Sequence, residues 1–64
     1  MSIQLPDGTI LVPGGDPVRV LSLLQSAGIN PLDVIVTKNG RLIPEDAVVF
    51  PHDEVRVFRV AHGG

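Results

Sequence analysis

The longest uninterrupted strand pattern in the sequence is EVRVFRVA at residues 54–61. Successive side chains of a strand point to opposite faces, so Val55 and Val57 share one face. Arg56 and Phe58 then share the other. Turning Phe58 toward a core would bury Arg56 unpaired, which costs several kcal/mol, more than the roughly 1.5–3 kcal/mol that burying phenylalanine returns. We therefore expect Val55 and Val57 to face inward, and this strand to lie centrally, beside the first strand.

An exposed apolar patch follows from that orientation. Phe58 and Val60 would stand on the uncovered face of the sheet, near the side chain of Ile35. Contiguous exposed apolar groups often mark partner sites, so we expect this patch to dock a partner. Arg56 and Arg59 would flank the patch, where they are either solvated surface charges or charges that steer a partner.

Two hairpins are predicted in addition. Residues 2–5 and 9–12 have strand character on either side of the turn sequence Pro6-Asp7-Gly8. Their shared buried face is expected to hold Ile3, Leu5, Ile10 and Val12.

The second hairpin joins a β-branched strand at residues 33–37 to a short strand at 41–43 through Lys38-Asn39-Gly40. Asn-Gly is the strongest short hairpin signal. Residues 45–50 are expected to be a connection in which three apolar side chains pack inward.

A single helix is predicted between the hairpins. Asp16 stands where an N-cap belongs, Pro17 suits the first helical position, and Gly28 suits the position just past the end. This gives a helix of about 11 residues. Its apolar stripe is Val20, Leu21, Leu24 and Ala27. One helix covers one face of a sheet, so the sequence predicts an α+β roll with a mixed four- to five-stranded sheet.

Length, net charge and cysteine content exclude several classes of function. The 64 residues fit one domain, and the net charge of −2 excludes a broad basic surface for nucleic acid. Without cysteine there is no disulfide, thiolate metal site or cysteine nucleophile. We expect a cytoplasmic protein, because no apolar run could span a membrane and Met1 does not begin a signal peptide. His52 and His62 are too far apart to suggest a metal pair.

The chain ends in Ala61-His62-Gly63-Gly64. Glycine lacks a Cβ, so a Gly-Gly segment can enter a narrow tunnel and would leave the carboxylate of Gly64 open to a nucleophile. Taken by themselves, the two glycines are equally typical of a frayed terminus or a cloning remnant. A carboxylate reacts poorly until it is activated, for example as an acyl-adenylate. The sequence has no phosphate-binding loop of its own, so a partner enzyme would have to supply ATP.

The whole chain resembles the small β-grasp sulfur carriers and ubiquitin-like proteins, which include the thiamine sulfur carrier ThiS and the molybdopterin synthase small subunit MoaD. The matching motifs are residues 34–40, 42–44 and 53–57, followed by the terminal Gly63-Gly64. The turn before the last strand departs from the family pattern, since His52-Asp53 stands where Gly-Asp is usual.

The resemblance implies a β-grasp domain over residues 1–62 and a flexible Gly-Gly tail at 63–64. It implies that an E1-like enzyme adenylates Gly64 with ATP, and that the resulting thiocarboxylate donates sulfur in thiamine, molybdopterin or tRNA thiolation pathways. A sulfurtransferase or a downstream synthase would be the other partner. The docking surface would comprise Phe58, Val60, His62, Ile35 and Arg59. The protein itself would be a monomer, not an enzyme, and would bind no cofactor.

Two other functions stay open from the sequence. The protein could be a ubiquitin-like modifier joined through Gly64 to lysines of its targets. It could also be a noncovalent binding module that uses the Phe58 patch alone.

Overall fold

The computed structural model describes residues 1–60 and shows one five-stranded mixed sheet, one two-stranded sheet and one α-helix in that range. The elements are β1 (Ser2–Gln4), β2 (Ile10–Leu11), β3 (Val18–Arg19), α1 (Val20–Ser26), β4 (Val34–Lys38), β5 (Arg41–Ile43), β6 (Val48–Val49) and β7 (Glu54–Arg59). A 3-10 helix, Pro31–Asp33, leads into β4. The large sheet has the order β2-β1-β7-β4-β5, and β3 pairs with β6. The predicted α+β roll is confirmed.

Strand β7 occupies the centre of the large sheet, as its sequence predicted. It runs parallel to β1 and antiparallel to β4. Val55 and Val57 are buried, so the predicted orientation of this strand is also correct. Among residues 1–60, the core consists of eight buried apolar residues from both sheets and the helix: Ile3, Val20, Leu24, Val34, Val36, Val49, Val55 and Val57.

The first hairpin forms, but its predicted buried face is half wrong. Ile3 is buried, whereas Ile10 and Val12 are exposed. The three-residue turn 6–8 lets Leu5 N–H bond to Thr9 C=O, and this register sets Ile3 opposite Leu11. Paired residues point to the same face, so Leu11 takes the inward position that we expected for its neighbours.

The helix begins three residues later than predicted. Val18 and Arg19 are extended and pair with Val49 and Val48, so Asp16 and Pro17 do not start the helix. The first helical N–H groups, of Val20 and Leu21, donate instead to the carbonyls of Ala47 and Glu45. The carbonyls of a distant segment therefore accept the hydrogen bonds that an N-cap side chain would accept. The helix starts where these bonds form, and not at the capping residues Asp16 and Pro17.

The predicted end of the helix is correct. Gly28 has φ +72°, and its N–H donates to Gln25 C=O. The N–H of Ile29 donates to Leu24 C=O, which completes a Schellman motif. Because a positive φ is strained for other residues, glycine suits this position.

The second hairpin is confirmed as well. Asn39 has φ +52° and Gly40 has φ +84°, the backbone of a two-residue hairpin turn that joins Lys38 to its partner Arg41. Residues 45–50 form a connection, but the expected inward packing is only partly correct, since Val49 is buried and Ala47 packs against the core while Val48 and Phe50 are exposed. The segment also contains β6, which sequence analysis missed, and the pairing of β6 with β3 sets which of its side chains face inward. Within residues 1–60, the helix is far too short to cross a bilayer.

Candidate functional site

The side of the large sheet that faces away from α1, here called the outer face, carries the predicted apolar pair. Ile35 on β4 lies directly opposite Phe58 on β7. The two residues are 41% and 44% exposed, although each stands in a central strand. Their predicted placement is confirmed, while their role in docking stays a prediction.

The outer face continues across the whole sheet as one row of paired residues. From one edge to the other these are Ile10, Gln4, Arg56, Thr37 and Leu42. Leu42 is 69% exposed and lies opposite Thr37. Thr37 is two residues after Ile35 on the same face of β4, so Leu42 extends the apolar surface around Ile35. Sequence analysis did not single out Leu42. The Asn39-Gly40 turn could have revealed it, since a two-residue loop sets Thr37 opposite Leu42.

The two arginines near the patch lie on different sides of β7. Arg56 is on the outer face, where its Nη2 is 3.0 Å from Oε1 of Glu54. Arg59 lies opposite Val34, which faces the core, and it is exposed at the end of the strand. Arg56 therefore borders Phe58 on the same face, whereas Arg59 borders the patch only around the end of the strand.

The residue that follows β7 is hydrogen-bonded to the 3-10 helix that precedes β4. Val60 is partly buried, and its N–H donates to Asp33 C=O at 2.9 Å. This bond holds the backbone at Val60 beside the start of β4. The other predicted site residues, His62, Gly63 and Gly64, and the predicted domain boundary at residue 62 lie outside the described residues.

The opposite end of β7 carries a group of side chains that sequence analysis missed. We call Lys38, Asn39, Phe50, His52 and Asp53 the Asp53 cluster. The Asp53 side chain is only 3% exposed. Its Oδ2 accepts the Phe50 N–H at 2.7 Å and its Oδ1 accepts Asn39 Nδ2 at 3.0 Å. Lys38 Nζ lies 3.7 Å from Oδ2 and His52 Nε2 lies 3.6 Å from Oδ1.

Asn39 links this cluster to the start of β7. Its N–H donates to Glu54 C=O at 2.8 Å, and its Oδ1 accepts the Glu54 N–H at 2.9 Å. The β4–β5 turn is thereby bound to the first residue of the central strand. The His52-Asp53 sequence still forms a turn here, with Asp53 N–H donating to Phe50 C=O.

The electrostatics of Asp53 follow from these contacts. The hydrogen bond from Phe50 N–H is the main reason that the pKa of the Asp53 carboxyl lies below its ordinary value of 3.8. Burial opposes the shift, and Asn39, Lys38 and His52 add to it. A carboxylate that is held ionised by neighbours in this way is suited to stabilising a turn, not to moving protons. Among residues 1–60, no group of three or more potential ligands is placed to hold a metal ion.

In the described part of the chain, the strand order and the one α-helix on one face of the sheet define the class of the protein, which is a ubiquitin-like β-grasp domain. A structure of the same kind is the NMR solution structure of a thiamine biosynthesis protein from Geobacter metallireducens. It is similar with a TM-score of 0.62 over 100% of this chain and 88% of that chain, at 23% sequence identity. At that identity the likeness concerns the fold.

The family of the chain is shown by a match between its sequence and a protein-family model. Residues 15–61 match the model of SAMP2, small archaeal modifier protein 2. The match spans more than half of the chain, so the chain belongs to the small archaeal modifier protein 2 family. Proteins of this family are small modifiers and carriers, not enzymes. A search of curated proteins gave no match to this chain.

Proposed function

We propose that this chain is a protein carrier whose Gly64 carboxyl group is activated by an E1-like enzyme at the expense of ATP. The observation that carries the proposal is the Ile35–Phe58 pair, which leaves an apolar surface uncovered on the strand that precedes the Gly-Gly end. An enzyme that docks on this outer face can hold the end of β7 while it receives the residues that follow. Ile35, Phe58, Val60, Arg59 and His62 are the proposed docking residues.

The chemistry requires two displacements. An oxygen of the Gly64 carboxylate attacks the α-phosphorus of ATP, and pyrophosphate leaves as the acyl-adenylate forms. Sulfide delivered by a sulfurtransferase then attacks the carbonyl carbon, and AMP leaves as the thiocarboxylate forms. The carrier supplies the reacting carboxylate and the docking surface, while the nucleotide and the sulfur come from its partners.

We propose sulfur delivery as the first role of the activated end. The fold shared with a thiamine biosynthesis protein supports this role. So do the sequence motifs at residues 34–40 and 53–57, which resemble sulfur carriers of the β-grasp type. The thiocarboxylate would serve a downstream synthase or a tRNA-thiolating enzyme.

A second role is conjugation to proteins, and the family match favours it. The matching family is that of a small archaeal modifier. In this role the amine of a target lysine attacks the activated Gly64 carbonyl in place of sulfide, and an isopeptide bond forms. Both roles need the same activation step, so one protein can perform both.

The sulfur-carrier role is tested by intact mass spectrometry. The protein is incubated with its activating enzyme, ATP and a sulfur donor, and we expect a mass increase equal to the replacement of one oxygen by sulfur. Deletion of Gly63-Gly64 should abolish the product and leave the circular dichroism spectrum unchanged. Formation of the product in the truncated protein would refute activation at Gly64.

The modifier role needs a separate experiment in cells. Denaturing gels probed for this chain should show a series of heavier adducts that disappear when Gly63-Gly64 is deleted. The intact mass of the protein isolated from its native cells should equal that of a chain whose last residue is Gly64. Further residues would block the reacting carboxylate. A noncovalent binding module, the third possibility, would keep its partners after the same deletion.

A further inference from the structure

Lys38 is the one lysine in these 64 residues. Its side chain is 31% exposed and belongs to the Asp53 cluster. Nζ lies 3.7 Å from Asp53 Oδ2 and 5.7 Å from the centre of the Phe50 ring. The ammonium group therefore has an ion-pair partner and a cation–π partner at the same time.

Acylation of this amine would remove the positive charge on which both contacts depend. An isopeptide bond between Lys38 Nζ and the Gly64 carbonyl of another copy forms a C–N bond. AMP leaves, the nitrogen gives up protons, and its positive charge is lost. Asp53, only 3% exposed, would then keep its hydrogen bonds from Phe50 and Asn39 but lose the lysine charge. A buried carboxylate that loses its cation is destabilised.

We propose that Lys38 is retained as a structural cation and is a poor acceptor, so that this chain is attached to targets as single copies and not as Lys38-linked polymers. The inference rests on the proposed role as a modifier. It concerns the chain as a substrate of its own conjugation, where the partner is a second copy. The Asp53 cluster thus keeps Lys38 from accepting a second copy of this chain.

The first experiment measures the reactivity of Lys38 without any enzyme. The folded protein is treated with a limiting amount of an acetylating N-hydroxysuccinimide ester, and acetylation at each amine is followed by peptide mass spectrometry. Arg41→Lys supplies an internal reference, because Arg41 is the exposed cross-strand partner of Lys38 in the same hairpin. We expect Lys38 to react about fivefold more slowly than the introduced lysine, the ratio typical of a modest ion pair.

A second variant ties that difference to its cause. Asp53→Asn removes the carboxylate charge while keeping an oxygen that can accept the Phe50 N–H, and it should bring the two rates together. Equal rates already in Arg41→Lys with Asp53 intact would overturn the proposal. If Asp53→Asn fails to fold, the ratio measured within Arg41→Lys still decides the question.

The conjugation reaction gives the third measurement. With the activating enzyme and ATP, Arg41→Lys should form dimers through the introduced lysine, and the natural sequence should form few or none through Lys38. Abundant Lys38-linked dimers would sink the inference and leave the modifier role intact. Absence of every conjugate would count against the modifier role. The acetylation rates would still test whether Lys38 is a poor acceptor.

Discussion

The two ends of the β4–β7 ladder have opposite chemistry. Where β7 ends, Ile35 lies opposite Phe58, and both apolar side chains are left partly uncovered. Where β7 begins, Asn39 and Lys38 converge on the buried carboxylate of Asp53. The polar end is cross-connected around one buried carboxylate, whereas the apolar end is open. Substitutions at the open end should therefore change binding, and those at the connected end should change stability.

The largest expected effect is that of Phe58→Ala on binding to the activating enzyme. Aromatic anchors at the centre of an interface commonly contribute about 2 kcal/mol or more, so affinity should fall about thirtyfold. Isothermal titration calorimetry with the enzyme measures this. The matched control is Val12→Ala, which truncates an exposed apolar side chain near the far edge of the sheet.

The proposed contrast between the two ends would be wrong if Phe58→Ala unfolded the protein and left the affinity of the folded fraction unchanged. Chemical denaturation of both variants distinguishes these outcomes. Equal losses of affinity in Phe58→Ala and Val12→Ala would place the docking surface somewhere other than the outer face.

The next effect is the pH dependence of stability at the connected end. The pKa of Asp53 is lowered in the folded state, chiefly by the Phe50 N–H. The ionised carboxylate therefore stabilises the fold above its ordinary pKa of 3.8, and this contribution is lost as the pH falls through the lowered value. The natural protein should be more stable than Asp53→Asn near neutral pH, and the difference should shrink in acid.

Urea denaturation of both proteins between pH 2 and pH 7 measures that difference. Asp7, whose pKa is also lowered by its hydrogen bonds with Thr9, is present in both proteins and cancels. Lys38 and His52 face the carboxylate, so the series is repeated with His52→Gln to remove the histidine charge. A difference that does not vary with pH would show that Asp53 acts through packing and not through its charge.

A smaller effect is expected at the turn that Asn39 and Gly40 form. Gly40 has φ +84°, and a Cβ placed there would meet no atom within 4 Å. Gly40→Ala should thus cost about 1 kcal/mol of unfolding free energy through backbone strain alone. Gly14→Ala is the control, since Gly14 has equal space around it and no positive φ. Equal effects of the two substitutions on the urea midpoint would contradict this account.

The parts of the fold that the sequence predicted are those set by local chemistry. The alternation of Val55, Val57 and Phe58 fixes the faces of β7, and Asn39-Gly40 fixes the second hairpin. The predicted start of the helix was wrong because β3 pairs with β6, which brings Val18 to Val49 and Arg19 to Val48, and no capping pattern reports such a distant contact. In the first hairpin, the inward side chains of the second strand were predicted from alternation alone. The three-residue turn sets Ile3 opposite Leu11, so the inward position falls on Leu11 and not on Ile10 or Val12.

The candidate site was predicted to the same degree and for the same reason. Ile35 and Phe58 follow from strand alternation together with the central position of β7. The Asp53 cluster could not be predicted, since Asn39 and Asp53 are 14 residues apart and come together only when β4 pairs with β7. A lone Asp53-Glu54 pair in the sequence gives no sign that one carboxylate is buried and the other exposed.

The smallest expected effect is that of Arg59→Gln on the rate of association with the activating enzyme. Arg59 is exposed at the end of β7, on the opposite side from Phe58. A charge at the rim of an interface changes the association rate more than the affinity, and added salt screens its influence. We expect a decrease of about twofold to threefold at low ionic strength that disappears at high salt.

Stopped-flow mixing at two salt concentrations measures this rate, and Arg19→Gln provides the control. Arg19 is exposed on β3, outside the large sheet, and its removal changes the net charge equally. If both variants slow association to the same extent, the effect belongs to net charge and Arg59 has no part in docking. If Arg59→Gln alone slows it, the enzyme reaches around the end of β7 from the outer face, toward the residues that lead to Gly64.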